Sequence, residues 1–186
     1  MAESKIERIS GTYHTFLTKR FDRNKEGRIH FASAMTMTGN TEETLKSKTP
    51  SYLDLVDVIE TYGTHVEENL NQLWRRIVFN IAISNTDDHL RNHEFILREQ
   101  GWILSPAYDL NPSIEKDGLA LSIDSDDNAL NFDLARSVGE YFRLSEMEMN
   151  EIIKQVLTSV SEWRKLAKKI GIPYKECDLM AKAFKT

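Results

Sequence analysis

The stretch Asn85-Thr86-Asp87-Asp88-His89-Leu90-Arg91-Asn92-His93 decides the interpretation of this chain. Within it, Asn92 follows Asp87 by five positions. A second polar segment, residues 105–112, contains another aspartate, Asp109. These three oxygen-bearing side chains are therefore candidates for one functional site.

The segment between the two stretches has the pattern of a β-hairpin. Residues 95–97 and 102–104 are apolar, and a turn with a glycine at 99–101 separates them. Such a hairpin would return the chain so that Asp109 faces Asn92. An aspartate, an asparagine five residues later and an aspartate beyond a hairpin are the arrangement of the catalytic base and the two metal ligands in protein kinases.

The chemistry of phosphoryl transfer explains these residue types. A substrate hydroxyl loses a proton as it attacks a γ-phosphate, and the carboxylate of Asp87 is suited to accept it. Magnesium prefers hard oxygen ligands, which Asn92 and Asp109 can supply. We therefore predict a site that uses ATP and Mg²⁺.

Composition limits the classes of function. The chain has 186 residues, of which 40% are apolar and 28% charged, and its net charge is -5. The chain has no excess of basic residues that would indicate direct nucleic-acid binding. No segment is both apolar enough and long enough to span a membrane. The N-terminus lacks the apolar core of a secretory signal. The single cysteine, Cys177, excludes an internal disulfide, so we expect a cytoplasmic protein.

The periodicity of apolar residues predicts a mainly α fold with small β elements, an α+β class. Residues 1–40 are predicted to form a hinge strand and the start of the lobe, and residues 41–186 a helical lobe within the same single domain. Capping boxes are predicted at 64–67 and 145–148. The predicted helices cover residues 51–59, 64–84, 132–142, 145–170 and 174–184. The predicted strands cover residues 13–21, 28–31, 95–97, 102–104 and 119–123.

Two other residue groups in this loop have alternative interpretations. His89 and His93 lie four positions apart beside Asp88, a spacing that could bind a transition metal and indicate a metal-dependent phosphohydrolase. No glutamate lies between the two histidines, as the usual zinc motif would require. Arg91 either contacts a phosphate of the nucleotide or forms a surface ion pair.

Three motifs resemble the HipA family of bacterial Ser/Thr kinases, the toxins of toxin–antitoxin modules linked to persistence. These motifs are residues 16–23 (FLTKRFDR), 85–92 (NTDDHLRN) and 104–110 (LSPAYDL). Together with the helices between and after them they cover nearly the whole chain. The resemblance implies the fold of a kinase-like C-terminal lobe of the HipA type.

The resemblance also implies roles for individual residues. It makes Asp87 the catalytic base and Asn92 and Asp109 the magnesium ligands. Lys19, Phe21 and Asp22 then belong to the hinge that borders the adenine. Apart from the resemblance, His89 and Arg91 of the loop are also predicted to contact the nucleotide. Lys19 departs from the glutamate that the family often has there. Family partners are a DNA-binding antitoxin and protein substrates such as aminoacyl-tRNA synthetases.

The chain lacks the phosphate-binding half of a kinase. Its eight glycines form no glycine-rich loop, and no strand before the hinge carries a phosphate-binding lysine. We expect the C-terminal catalytic lobe of a HipA-like Ser/Thr kinase, either a fragment or a subunit that borrows an N-terminal lobe from a partner chain. The alternative is a non-catalytic interaction or regulatory module that retains the fold.

Overall fold

The structure is a computed structural model that describes residues 1–11 and 13–185. Thr12 and Thr186, which belong to the predicted ranges 1–40 and 41–186, lie outside the described residues. The strands are β1 (Ser4–Glu7), β2 (Thr15–Thr18), β3 (Arg23–Asn24), β4 (Gly27–Arg28), β5 (Phe31–Ser33), β6 (Glu94–Arg98) and β7 (Gly101–Leu104). The α-helices are α1 (Ala34–Met37), α2 (Tyr52–Tyr62), α3 (Val66–Ile83), α4 (Phe132–Ser137), α5 (Glu146–Ser161), α6 (Trp163–Ile170) and α7 (Tyr174–Met180). The predicted α+β class is confirmed.

Helix α3 is the centre of the hydrophobic core. Its apolar residues recur at helical spacing, so they form one continuous face that packs against α2, α4, α5 and β7. Leu70, Trp74 and Ile77 on this face are fully buried. The helix predicted at 64–84 is therefore present, and it holds the loop at its C-terminal end in a fixed position.

Side-chain caps define where two of the helices begin. Ser51 forms a capping box with Asp54 at the start of α2. Ser145 and Glu148 form the predicted box at the start of α5. The capping box predicted at 64–67 is wrong. The backbone N–H of Thr64 donates to the carbonyl of Trp102, and the N-cap residue of α3 is His65.

The largest sheet has three antiparallel strands in the order β5-β6-β7. Phe95 pairs with Leu104 and Arg98 with Gly101, so the predicted hairpin is confirmed, with Glu99 and Gln100 in the turn. Gly101 has a φ of 139°, a conformation that favours glycine. This hairpin carries the chain from the first polar stretch to the second. The strands β1 and β2, and β3 and β4, form two separate antiparallel pairs.

Several predicted boundaries are wrong. The strand predicted at 13–21 is limited to β2, and the strand at 28–31 is divided between β4 and β5. Residues 119–123 are irregular, with a single bridge between Ser51 and Ser122. The helix predicted at 132–142 is α4 followed by a 3-10 turn, and the one at 145–170 is broken at Glu162 into α5 and α6. The last helix also ends in a 3-10 turn, Ala181–Ala183.

None of the helices in the described part of the chain combines the length and the apolar character that crossing a bilayer requires.

Candidate functional site

The candidate site begins where the core helix α3 ends. Ser84, the C-cap residue, has a φ of 51°, and its backbone N–H donates to the carbonyls of Asn80 and Ile81. This left-handed turn directs the chain out of the helix and into the polar loop. In that loop Asp87 is exposed, whereas its neighbour Asp88 is buried. The loop thus presents one carboxylate to solvent and inserts the next one into the protein.

Asn92 is tied to Asp87 by a direct hydrogen bond. Its side-chain Nδ2 donates to the backbone carbonyl of Asp87 at 2.9 Å. Because the amide nitrogen is held in this way, the orientation of the amide is fixed and Oδ1 remains as an acceptor. The structure therefore brings two of the three predicted residues together.

The segment that carries Asp109 is attached to the same loop on both sides of this residue. The hydroxyl of Tyr108 donates to the backbone carbonyl of Arg91 at 2.6 Å. Further along, the backbone N–H of Ser113 donates to the carbonyl of Ser84 at 3.0 Å. Asp109 follows Tyr108 directly, so these bonds keep it beside the loop that contains Asn92.

Asp109 has an unusual backbone conformation. Its φ is 53°, in the left-handed region that L-residues other than Asn and Asp rarely adopt. The side chain of Asn111 donates to Oδ1 of Asp109 at 2.7 Å, which occupies one of the two carboxylate oxygens. Strained backbone of this kind is concentrated at functional sites.

A buried polar network supports the loop from below. The hydroxyl of Tyr52 donates to the carboxylate of Asp88 and accepts a 2.9 Å hydrogen bond from the amide of Asn80. Asn85 in turn donates to Oδ1 of Asn80 at 3.0 Å. The other carboxylate oxygen of Asp88 accepts from the backbone N–H of Ala120 at 2.6 Å. These bonds connect α2, α3 and residue 120 to the loop.

The network has strong electrostatic consequences. Burial raises the pKa of Asp88, and the hydrogen bond from Tyr52 opposes that shift. Burial and the nearby charge of Asp88 raise the pKa of Tyr52. The role of Tyr52 is not predictable from the sequence, because nothing in the local pattern links it to a residue so far along the chain. The one sign of a buried polar network in the sequence is Asn80, a polar residue within an apolar helical stretch.

His93 lies beneath the loop as a neutral residue. Its Nε2 is 3.2 Å from the backbone carbonyl of Asp88, and because a carbonyl can only accept, Nε2 carries the proton. Burial lowers the pKa of His93 to about 3, with the positive charge of Arg76 as the second cause. His93 therefore supports the loop in its uncharged form.

The predicted hinge residues lie in different surroundings. The ring of Phe21 packs against that of Tyr108, with centroids 5.7 Å apart, so the hinge contacts the segment that carries Asp109. The carboxylate of Asp22 accepts from Arg20 Nε at 2.7 Å, which lowers the pKa of Asp22. Lys19 is exposed, and its ammonium pairs with Glu3 at 3.0 Å. A nucleotide-binding role of these three residues stays a prediction.

The two remaining loop residues differ in exposure. Arg91 is exposed and forms an ion pair with Glu42, so the surface ion pair considered above is present. His89 is partly buried, and its Nδ1 has no hydrogen-bond partner among the described residues. A role of either residue in contacting a nucleotide stays a prediction.

The phosphohydrolase alternative lacks a free ligand set. The carboxylate of Asp88 already accepts hydrogen bonds from Tyr52 and Ala120. Within residues 1–11 and 13–185, no group of three or more His, Cys, Asp or Glu side chains could hold a metal ion. The oxygen donors of Asn92 and Asp109 instead fit a hard cation that keeps water and phosphate ligands, such as Mg²⁺.

The chain belongs to the HipA-like C-terminal domain family, whose pattern matches residues 1–164. The predicted family is thereby confirmed. No curated protein matches the chain in sequence.

A solved structure has a similar fold. It is a chain of the complex of the Shewanella oneidensis MR-1 toxin–antitoxin system HipA, HipB and its operator DNA. The TM-score is 0.74 at 18% identity, over 98% of the present chain and 49% of that chain. The likeness shows the fold, and the present chain spans about half the length of the chain it matches.

Proposed function

We propose that this chain is the catalytic lobe of a HipA-like Ser/Thr kinase, which transfers the γ-phosphate of ATP to a protein hydroxyl. The observation that supports this proposal best is the hydrogen bond from Asn92 to the backbone of Asp87, beside a segment that carries Asp109. Tyr108, the residue before Asp109, bonds to the carbonyl of Arg91, the residue before Asn92, and this links the two segments of the predicted motif. Asp87 is exposed, as a base that must reach a substrate hydroxyl needs to be.

Each residue has a specific role in this proposal. Asp87 accepts the proton of the attacking hydroxyl. Asn92 Oδ1 and the carboxylate of Asp109 hold Mg²⁺, which when bound neutralises charge on the phosphate oxygens. The hydrogen bonds to Asn92 and Asp109 fix their orientation in advance, so less reorganisation is needed when the ligands arrive.

The nucleotide base is proposed to lie at the hinge. Phe21 offers an aromatic surface, and it contacts Tyr108, the residue before the proposed metal ligand Asp109. Lys19 and Asp22 flank the ring in sequence. The Lys19 N–H donates to the carbonyl of Glu3 and the Asp22 carbonyl accepts from Ile29, so the Lys19 carbonyl and the Asp22 N–H are the proposed partners of the adenine. His89 and Arg91 are proposed to contact the phosphates, for which Arg91 must exchange its partner Glu42.

The second lobe is proposed to dock on the hairpin of β1 and β2. Ile6 and Phe16 are directly paired across this hairpin, and they are 44% and 65% exposed. Exposed apolar side chains of this size indicate a surface that another structural unit covers. We propose that a HipA-type N-terminal lobe, supplied by the same protein or by a partner chain, provides the phosphate loop and lysine.

The proposed partners follow from the family and from the solved complex. The matched structure contains HipB and operator DNA together with HipA. We propose that a DNA-binding antitoxin binds this protein and that a protein such as an aminoacyl-tRNA synthetase is its substrate. In this proposal any contact with DNA is made through the antitoxin, and the protein acts in the cytoplasm.

Titration calorimetry of ATP into the assembled two-lobe kinase tests the metal site. We expect binding that requires Mg²⁺ and becomes at least about tenfold weaker in Asn92→Ala and in Asp109→Asn. The matched control is Asn71→Ala on the surface of α3, away from the loop. Binding that persists unchanged when both Asn92 and Asp109 are replaced would contradict the proposed site.

Phosphate transfer in the assembled two-lobe kinase tests the role of Asp87. We expect Asp87→Asn to lower the rate by about a hundredfold to ten-thousandfold while ATP binding is retained. A transfer rate equal to that of the unmodified kinase would refute the assignment of the base.

The second candidate is a non-catalytic module that binds partners through the same fold, and the exposed apolar hairpin favours it. In that case the chain captures an antitoxin or an N-terminal lobe, and ATP neither binds nor changes that affinity. Measuring partner affinity with and without Mg-ATP distinguishes the two candidates.

A further inference from the structure

A groove of about 700 Å³ lies on the side of the molecule formed by α3, α5 and the hairpin β6–β7. Its apolar lining includes Phe79, Leu104, Pro106 and Val156. Asp87, Asn92 and Asp109 do not belong to this lining. Cavities of this size, apolar with a few polar groups, are typical of small-molecule sites.

The charged residues in the groove are all positive. Arg75, Arg76 and Arg98 line it, and no aspartate or glutamate is among its lining residues. The whole chain has a net charge of -5, so this local excess of arginine is opposite to the overall balance. Concave surfaces lined by one sign of charge concentrate ligands of the opposite sign.

Arg76 is the deepest of the three arginines. The residue is only 8% exposed, and its guanidinium donates to the carbonyl of Ser105. Nη1 of Arg76 has no hydrogen-bond partner among the described residues. Its guanidinium also forms no ion pair within that part of the chain, unlike Arg20 or Arg143. A buried guanidinium without a negative partner is costly, and a bound anion would remove that cost.

We propose that this groove binds a small organic anion, a carboxylate or a phosphate monoester on an apolar body. Oxyanions are strong hydrogen-bond partners of a guanidinium, and Arg76 lines the groove without a carboxylate among the lining residues. Arg75 and Arg98 add positive charge, and the apolar lining receives the body of the ligand. The limited volume fits a small molecule better than a protein segment.

The groove also touches the candidate kinase site. The residue that Arg76 holds, Ser105, begins the segment that leads to Tyr108 and Asp109. Phe21, from the proposed hinge, lines the groove as well. A ligand in the groove therefore contacts both segments that border the proposed nucleotide site, although the proposal does not depend on kinase activity.

Titration calorimetry of the chain with cinnamate, and with cinnamyl alcohol as its neutral counterpart, tests the proposal. We expect one molecule of cinnamate to bind per chain, about tenfold to a hundredfold more tightly than the alcohol. Phenyl phosphate serves as the second oxyanion, and its affinity relative to cinnamate identifies the preferred head group. Equal affinities for the acid and the alcohol, or no binding of any probe up to about 10 mM, would overturn the proposal.

Variants assign the binding to the groove. Arg76→Met is expected to abolish cinnamate binding, and circular dichroism checks that the variant folds. The double variant Arg75→Gln/Arg98→Gln leaves the core intact and is expected to weaken binding by about tenfold. The matched control is Arg143→Gln, which removes an arginine paired with Glu60 outside the groove. Equal affinity in the double variant and the unmodified chain would also overturn the proposal.

Discussion

The hydroxyl of Tyr52 donates a hydrogen bond to the carboxylate of Asp88, which lies 36 residues further along the chain. Both residues are buried, and the bond connects the first residue of α2 to the loop that follows α3. The loop is therefore fixed by a contact to another helix as well as by its own turns. The amide of Asn80 donates to the same hydroxyl and completes this contact.

Replacement of Tyr52 by phenylalanine is expected to destabilise the protein by about 1–3 kcal/mol. The change removes only the hydroxyl, so a buried carboxylate and the amide of Asn80 each lose a partner. The free energy of unfolding, from urea titration, measures the effect. Tyr62→Phe is the matched control, because Tyr62 is exposed and a change of less than about 0.5 kcal/mol is expected there. Equal effects at the two positions would refute the supporting role of the network.

Replacement of Asp109 by glycine or by alanine separates backbone strain from ligand chemistry. Because Asp109 has a φ of 53°, glycine adopts the conformation freely, whereas alanine pays about 1 kcal/mol. We expect Asp109→Gly to be more stable than Asp109→Ala by that amount in urea titration. Both variants lose the carboxylate, so calorimetry is expected to show the same loss of Mg-dependent ATP binding. A much larger loss in only one of them would contradict the assignment of Asp109 as a ligand.

The buried state of His93 predicts a loss of stability in acid. Its pKa is about 3 in the folded protein and near 6.5 in the unfolded chain, so the unfolded chain binds the proton more readily between these values. The free energy of unfolding therefore falls as the pH drops below about 6.5. Between about pH 7.5 and pH 5 the contribution of His93 amounts to about 2 kcal/mol.

The variant His93→Gln isolates this contribution. Asp88 and the other carboxylates titrate in both proteins, so their effects cancel when the two curves are subtracted. We expect urea titrations across this pH range to show a loss about 2 kcal/mol smaller in the variant. Parallel curves would show that His93 accepts a proton in the folded state.

Removal of the Trp74 side chain is expected to cost about 3–5 kcal/mol. Trp74 is fully buried on α3, and its indole N–H donates to the carbonyl of Ala135 at 2.9 Å. The measurement is thermal and urea denaturation of Trp74→Ala. Trp163→Ala is the control, since Trp163 is only half-buried and stacks on Phe184 at the periphery. A cost at Trp74 no greater than at Trp163 would contradict the position of α3 as the centre of the core.

Local patterns predicted much of the fold. The apolar spacing of α3, the capping box at Ser145 and the hairpin before Asp109 are all encoded within a few residues of sequence. The failures have long-range causes. Thr64 and Glu67 have the residue types of a capping box, but a backbone bond to Trp102 prevents it. Residues 119–123 have strand-like composition, but the segment is held by contacts to the loop and to α2 instead.

The candidate site was only partly predictable. The spacing of Asp87 and Asn92 and the order of the segments could be read directly, because five residues of loop bring their backbones close. The buried environment of Asp88 could not be predicted, since the sequence shows two adjacent aspartates and gives no sign of which one enters the core. The hydrogen bonds that Asp88 accepts from Tyr52 and from the backbone of Ala120 distinguish the two aspartates.

The hydrogen bond from the Asn92 side chain to the main-chain carbonyl of Asp87 has a practical consequence. Because the acceptor is a main-chain carbonyl, it is present whatever side chain occupies position 87. We therefore expect Asp87→Asn to preserve the orientation of the Asn92 side chain. In the proposed kinase, this change is expected to give a complex that binds nucleotide and acceptor protein without turnover. Used as bait in an extract, such a complex would capture the acceptor protein of the proposed reaction.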